Sequence, residues 1–322
     1  MKPLLALSLT IAACSGTPGD GAAIPDETIP AKAESVPAVA ESVPAPAESV
    51  PRPAESVVVE AIPPLVERYD FDRRAARFDL PGRLEEVSGL AFAPDGRLFA
   101  HDDERARVHE IDPVTGAVGK RFDLGQQVVR DDFEGLAIVD DRFFLVSSLG
   151  RLYEFREGDD REELVYRVTD SGVGGDCEVE GLDYDPRDGV LLIACKTVTS
   201  QRASVVVHRL SLDPDLGLLP PLVVRKADLI PHGLDAEFDA SAVAVSLDDT
   251  ILLLSGRDDA LIEVDRSGNV LSVVQLSKSR HPQSEGLALG PDGTIYVSDE
   301  RADGKDARLT VYRRRGPERS SP

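Results

Sequence analysis

Between residues 66 and 316 the apolar residues fall into short runs closed by Asp, Gly or Pro, without the three-to-four spacing of an amphipathic helix. Five of these runs open alike. The segments EVSGLAFAPDGRLFAHDDE from Glu86, DFEGLAIVDDRFFLVSS from Asp132, EVEGLDYDPRDGVLLIACK from Glu178, DASAVAVSLDDTILLLSG from Asp239 and QSEGLALGPDGTIYVSDE from Gln283 share one plan. Each has a small residue, an apolar strand, a turn rich in Pro, Asp or Gly, and a second apolar strand. The small residues are Gly89, Gly135, Gly181, Ala242 and Gly286, so the repeat advances in steps of 46, 46, 61 and 44 residues. The long step holds an insertion near SLDPDLGLLPPLVV.

Further strands lie between these hairpins, and RFDL recurs at 77–80 and 121–124. Each unit thus offers about four strands, the period of a propeller blade. The pattern predicts an all-β, five-bladed β-propeller of four-stranded blades. After Ser298 the last unit retains one clear strand, RLTVYRR from Arg308, so the N-terminal RFDL is expected to supply its outer strand and close the ring. A degenerate blade in the insertion would make the number six.

The folded region is assigned to 66–316, with a short disordered tail at 317–322. Residues 15–65 carry ten prolines, and Ala-Glu-Ser-Val starts at Ala33, Ala40, Ala47 and Ala54, which reads as a disordered, extended spacer. Residues 1–14 combine Lys2 with an apolar run from Leu4 to Ala13, the form of a secretory signal. Ile11-Ala12-Ala13-Cys14 resembles the lipobox of bacterial lipoproteins, which implies a lipid anchor on Cys14 and, with Ser15 next, the periplasmic face of the outer membrane. Export leaves Cys177 and Cys195 as a candidate disulfide, or as two free thiols, close across the hairpin that turns at Pro186 to Gly189.

The net charge of −22 sits mostly in the folded part, because residues 1–65 contribute only −5. Such a field repels phosphate backbones and attracts cations, so nucleic acid is not an expected partner. Contact with the membrane is expected through the lipid alone.

The phrases EVSGLAF, DFEGLA, EGLDYDP, LLIACK, SAVAV and SEGLALGPDG, in this order over about residues 75–314, resemble the SdiA-regulated, YjiK-like family of exported five-bladed propellers. The resemblance implies bound calcium and a distant likeness to phytase-like, NHL-repeat and gluconolactonase-type propellers. It attaches no reaction to the chain.

Since the first strand of a blade lines the central channel, the repeat position before each small residue should form a ring of Ser88, Glu134, Glu180, Ser241 and Glu285. At ~5 Å and an effective dielectric of ~20, each carboxylate pair costs about 3 kcal/mol. A cation or bound protons must offset that repulsion. All donors are hard oxygens, which favours Ca²⁺ over Mg²⁺ and disfavours zinc or copper. Asp102, Asp103, Glu104, Lys196, Asp299 and Glu300 end second strands and are candidates for the channel rim. The five histidines show no ligand spacing; His101 and His281 lie near the hairpins, where they could reach the mouth, but read as surface residues.

No Gly-x-Ser-x-Gly elbow, P-loop or dinucleotide fingerprint is present. The expected function is therefore a membrane-tethered, calcium-binding module with a protein, glycan or small-molecule ligand. The alternative is a calcium-dependent hydrolase, a lactonase or phosphoesterase, working in the channel with catalytic residues unknown.

Overall fold

The computed structural model describes residues 61–302 and 304–316. The signal, Cys14 and nearly all of the spacer lie outside the described residues, as does the tail. A single turn of helix, α1 (Leu65–Arg68), precedes strand β1 (Ala76–Asp79). Leu65, the last residue assigned to the spacer, is fully buried.

Five four-stranded antiparallel blades follow. Blade I is built from β2 (Val87–Phe92), β3 (Leu98–Asp102), β4 (Arg107–Ile111) and β5 (Val118–Leu124). Blade II is β6 (Phe133–Val139), β7 (Arg142–Ser147), β8 (Arg151–Arg156) and, after the short β9 (Glu163–Leu164), β10 (Arg167–Asp170). β9 runs parallel to β5 and extends blade I. Blade III is β11 (Cys177–Asp185), β12 (Val190–Val198), β13 (Ser204–Ser211) and β14 (Leu218–Arg225). Blade IV is β15 (Ala242–Val245), β16 (Ile251–Ser255), β17 (Ala260–Val264) and β18 (Val270–Gln275). Blade V is β19 (Ser284–Leu289), β20 (Ile295–Asp299) and β21 (Arg308–Tyr312), with β1 as its outer strand.

The ring closes as its sequence predicts: β1 pairs with β21, Ala76 opposite Val311 and Asp79 opposite Arg308. Both copies of RFDL end up in outer strands, in β1 and β5. Among the described residues there is no sixth blade. The insertion becomes the turn before β14, β14 itself and a 3₁₀ segment at Lys226–His232.

Blade stacking explains why second strands read as unbroken apolar runs. Leu98–Asp102 and Ile251–Ser255 are buried at every position, because each blade is covered on both faces by its neighbours, whereas outer strand β1 alternates. The hydrophobic clusters lie at the five seams. At the seam of blades I and II, Phe99, Phe122, Phe143 and Phe155 pack mutually with ring centroids 5.1–6.3 Å apart. Burial of each such ring contributes about 1.5–3 kcal/mol. At the next seam, Cys177 and Cys195 form a disulfide with Cα atoms 5.4 Å apart.

Candidate functional site

Innermost strands β2, β6, β11, β15 and β19 pack side by side around the axis. Four of them carry a β-bulge at the same repeat position, where pairing with the second strand skips from Val87 to Gly89, Phe133 to Gly135, Val179 to Gly181 and Ser284 to Gly286. The skipped residues are Ser88, Glu134, Glu180 and Glu285. A bulge leaves its extra residue out of the ladder and re-aims its side chain. The repeated Glu-Gly is therefore a bulge signature that places a carboxylate where the channel begins.

The glycine provides space for it. A Cβ on Gly135 would sit 2.5 Å from the Leu182 amide nitrogen, one on Gly181 3.0 Å from Ala242 Cα, and one on Gly89 3.2 Å from Gly135 Cα. Inner strands thus touch backbone to backbone around the ring. Blade IV differs: Ala242 stands at the glycine position and β15 pairs with β16 without a bulge. Ser241 is accordingly spent on structure, donating to the Ser284 carbonyl (2.9 Å) and accepting from Gly256 N–H (3.2 Å). Its hydroxyl does not join the other four residues.

Those four are coupled. Ser88 Oγ donates to Glu134 Oε2 (3.3 Å). Burial, then the charges of Glu180, Asp132 and Glu285, push the Glu134 carboxyl up to about 9. Burial, then Glu300 and Glu180, push Glu285 up to about 8. Burial also raises Glu180, against the pull of Lys196, whose ammonium donates to Glu180 Oε1 (2.8 Å). Burial disfavours charge on Lys196, yet its bond to Glu180 and the charges of Glu180, Glu178 and Glu285 outweigh that and hold it above the ordinary lysine range. Lys196 is thus an internal counter-ion for one carboxylate out of three.

The other rim candidates separate into four kinds. Glu300 accepts from Gln283 Nε2 (2.6 Å) and is pushed up to about 7 by burial, then by Asp103, Glu86, Glu180 and Asp102, so it stands between the ring and the end of blade I. Asp102 and Asp103 gather with Glu86, one carboxylate oxygen of each lying within 4.8 Å of the others. Glu104 is exposed and faces Arg105 (3.3 Å) and Arg130 (3.6 Å) at the surface. Asp299 is wholly buried and structural: His281 Nδ1 bonds its Oδ2 (3.0 Å), while His281 Nε2 bonds the Tyr312 hydroxyl (2.7 Å).

The histidine expectation fails. His101, His109 and His281 are fully buried, and only His232 among the five is exposed. His101 fits because Gly89 leaves it room: its Nε2 would lie 2.3 Å from a Cβ there. Glu86 and Asp132, two residues ahead of the ring positions in blades I and II, are the site residues that sequence reading missed. The signal was available, since the five segments begin with Glu86, Asp132, Glu178, Asp239 and Gln283, four of them acidic.

The donors present fit a hard divalent cation better than a soft one. The carboxylates of Glu134 and Glu285 are both desolvated, and the Ser88 hydroxyl bonds Glu134, so none of these donors is nitrogen or sulfur, although the carboxylates of Glu134, Glu180 and Glu285 do not converge within 4.8 Å as a set.

Residues 68–302, most of the chain, match the model of a family described as SdiA-regulated. No curated protein sequence matches the chain. Among solved structures, the chain is similar to the glutaminyl cyclase of Myxococcus xanthus, with TM-score 0.52 and 16% identity over 76% of this chain and 97% of that one. It is also similar to the PQQ-bound aldose sugar dehydrogenase of Streptomyces coelicolor, with TM-score 0.48 and 12% identity over 74% of this chain and 98% of that one. At such identities the likeness is one of fold.

Proposed function

The chain belongs to the SdiA-regulated family, and from that premise we propose that it is an exported, lipid-tethered propeller that binds Ca²⁺, or less readily Mg²⁺, where its inner strands begin. It acts as a binding module, offering the acidic mouth to a protein, glycan or small-molecule ligand. The observation that carries the reading is the pair Glu134 and Glu285, whose carboxyls burial and neighbouring charge push to about 9 and 8. Near neutral pH these groups need protons or a cation.

When bound, the cation supplies positive charge and coordination positions open to a ligand. The chain's own residues do the rest. Glu134 and Glu285 provide anionic oxygens, Ser88 orients Glu134, and Lys196 holds Glu180 in place. Gln283 fixes Glu300 at the edge of the mouth.

We expect Ca²⁺ to raise the melting temperature of the purified chain relative to chelator, equivalent to about 2.7 kcal/mol at a hundred times Kd. Glu285→Gln should clearly reduce that rise. Equal shifts in both proteins, or none in either, would sink the proposal. For the tether, Cys14→Ser should move the chain from the detergent-rich to the aqueous phase in a two-phase partition. Unchanged partitioning would exclude the lipid.

One observation favours the hydrolase alternative: Glu300, at about 7, has the proton affinity of a general base working near neutrality. Lactones suit the mouth better than phosphoesters, because Lys196 is engaged with Glu180. Chelator-sensitive lactone hydrolysis that Glu300→Gln abolishes would establish that reading, and turnover unchanged by either would exclude it.

A further inference from the structure

We propose that Glu86, Asp102 and Asp103 form a second site for a hard divalent cation, Ca²⁺ by preference, on the blade I side of the mouth. The three residues come from two neighbouring strand ends. Glu86 directly precedes β2, Asp102 is the last residue of β3, and Asp103 follows it. The Asp103 amide donates to the Glu86 carbonyl (3.2 Å), which holds these ends together. One carboxylate oxygen from each converges, the three lying within 4.8 Å of one another.

A second and separate observation points to a missing ligand. Asp102 is only 6% exposed, yet its Oδ1 accepts no hydrogen bond from the described residues, and neither does Oδ1 of Asp103. Buried carboxylate oxygens are otherwise satisfied, since desolvation without a partner is costly. The cations nearby do not provide for them. Arg105 comes no closer than 3.8 Å to Asp102 Oδ2 and lies nearer to Glu104, while Arg130 also faces Glu104 and Arg301 pairs with Glu85. From blade V, Glu300 adds further negative charge.

Three carboxylates without histidine or cysteine match the oxygen shell of Ca²⁺, with water completing the six to eight ligands such an ion takes. This group shares no residue with Glu134, Glu180 and Glu285, so it stands or falls independently of the central site. Glu300 lies between the two and couples them electrostatically.

The test is the number of ions bound. The full chain is stripped of metal, and binding of Ca²⁺ alone is measured by calorimetry and by equilibrium dialysis. We expect about two ions per chain in the wild type and about one in Asp103→Asn or in Glu285→Gln, each variant keeping the other site. Glu86 is exposed and unimportant for packing, so Glu86→Gln separates loss of binding from loss of fold, and it should weaken one of the two events about tenfold. If Asp103→Asn and Glu86→Gln bind as wild type does, the second site is overturned. If they lose binding while Glu285→Gln does not, the second site holds and the central one fails.

Discussion

The two ends of the central channel are built from the same five strands and have opposite chemistry. Where the strands start, bulges present Glu134, Glu180 and Glu285. Where they finish, Phe92, Ile138, Tyr184, Val245 and Leu289 contribute to the lining of a largely apolar cavity of about 310 Å³. Each end contains carboxyls shifted upward by burial, and the difference lies in their partners. Asp183, at the apolar end, is pushed up to about 7, but its Oδ2 accepts the Val245 amide (2.7 Å). Glu134 receives a long hydroxyl bond from Ser88 and otherwise faces the carboxyl of Asp132, which raises it further. A raised proton affinity alone therefore does not mark a binding site. A raised affinity among neighbouring carboxylates, with no backbone amide to satisfy the group, does.

The glycines differ in the same way. At the apolar end Gly96 turns the chain with φ +86° and has its nearest atom 3.9 Å from a would-be Cβ, so conformation is what it provides. At the mouth Gly135 provides space. The largest expected effect follows from this: Gly135→Val should cost about 3 kcal/mol in urea denaturation, through overpacking against Leu182. Gly96→Asn, which tolerates the left-handed conformation, should cost under about 1 kcal/mol. Equal losses at both sites would remove the distinction.

A further effect is expected from pH. In the folded chain Glu134 and Glu285 keep their protons up to about 9 and 8, while the unfolded chain releases them in the ordinary carboxylate range. The folded state thus holds more protons through that window, and stability in chelator should fall as pH rises from about 5 to 9. Glu134→Gln should flatten the melting profile over this range, and added Ca²⁺ should do the same to the wild type. A profile already flat in chelator would contradict the proton affinities of the mouth.

The smallest effect concerns Lys196. Removing its charge with Lys196→Met frees Glu180 and should tighten Ca²⁺ binding about threefold to tenfold by calorimetry. Unchanged affinity would mean that the ammonium and the cation do not compete.

Much of this was legible in the sequence. Repeated hairpins gave the blades, RFDL gave the closure, and Glu-Gly-Leu gave the acidic mouth. The bulge was not legible, because it is a mismatch between two strands and belongs to neither alone. Ser241 appeared equivalent to Ser88, but without glycine and bulge its hydroxyl turns to the backbone of blade V. His101 looked like a surface residue since nothing in its own neighbourhood reveals that Gly89, on the partner strand, leaves a hollow for it. Lys196 was visible as a strand end, whereas its bond to Glu180 depends on a register that only the fold supplies.

The pairing of β1 with β21 also sets an order of events. Ala76 finds its partner at Val311, so the strand made first waits for the strand made last. Joining such distant segments carries the greatest loop-closure cost in the molecule and belongs to the slow class of folding contacts. Until that pairing forms, the edge of blade V stays open to strands of other chains, which makes the interval between synthesis and closure the time when this protein is most prone to aggregate.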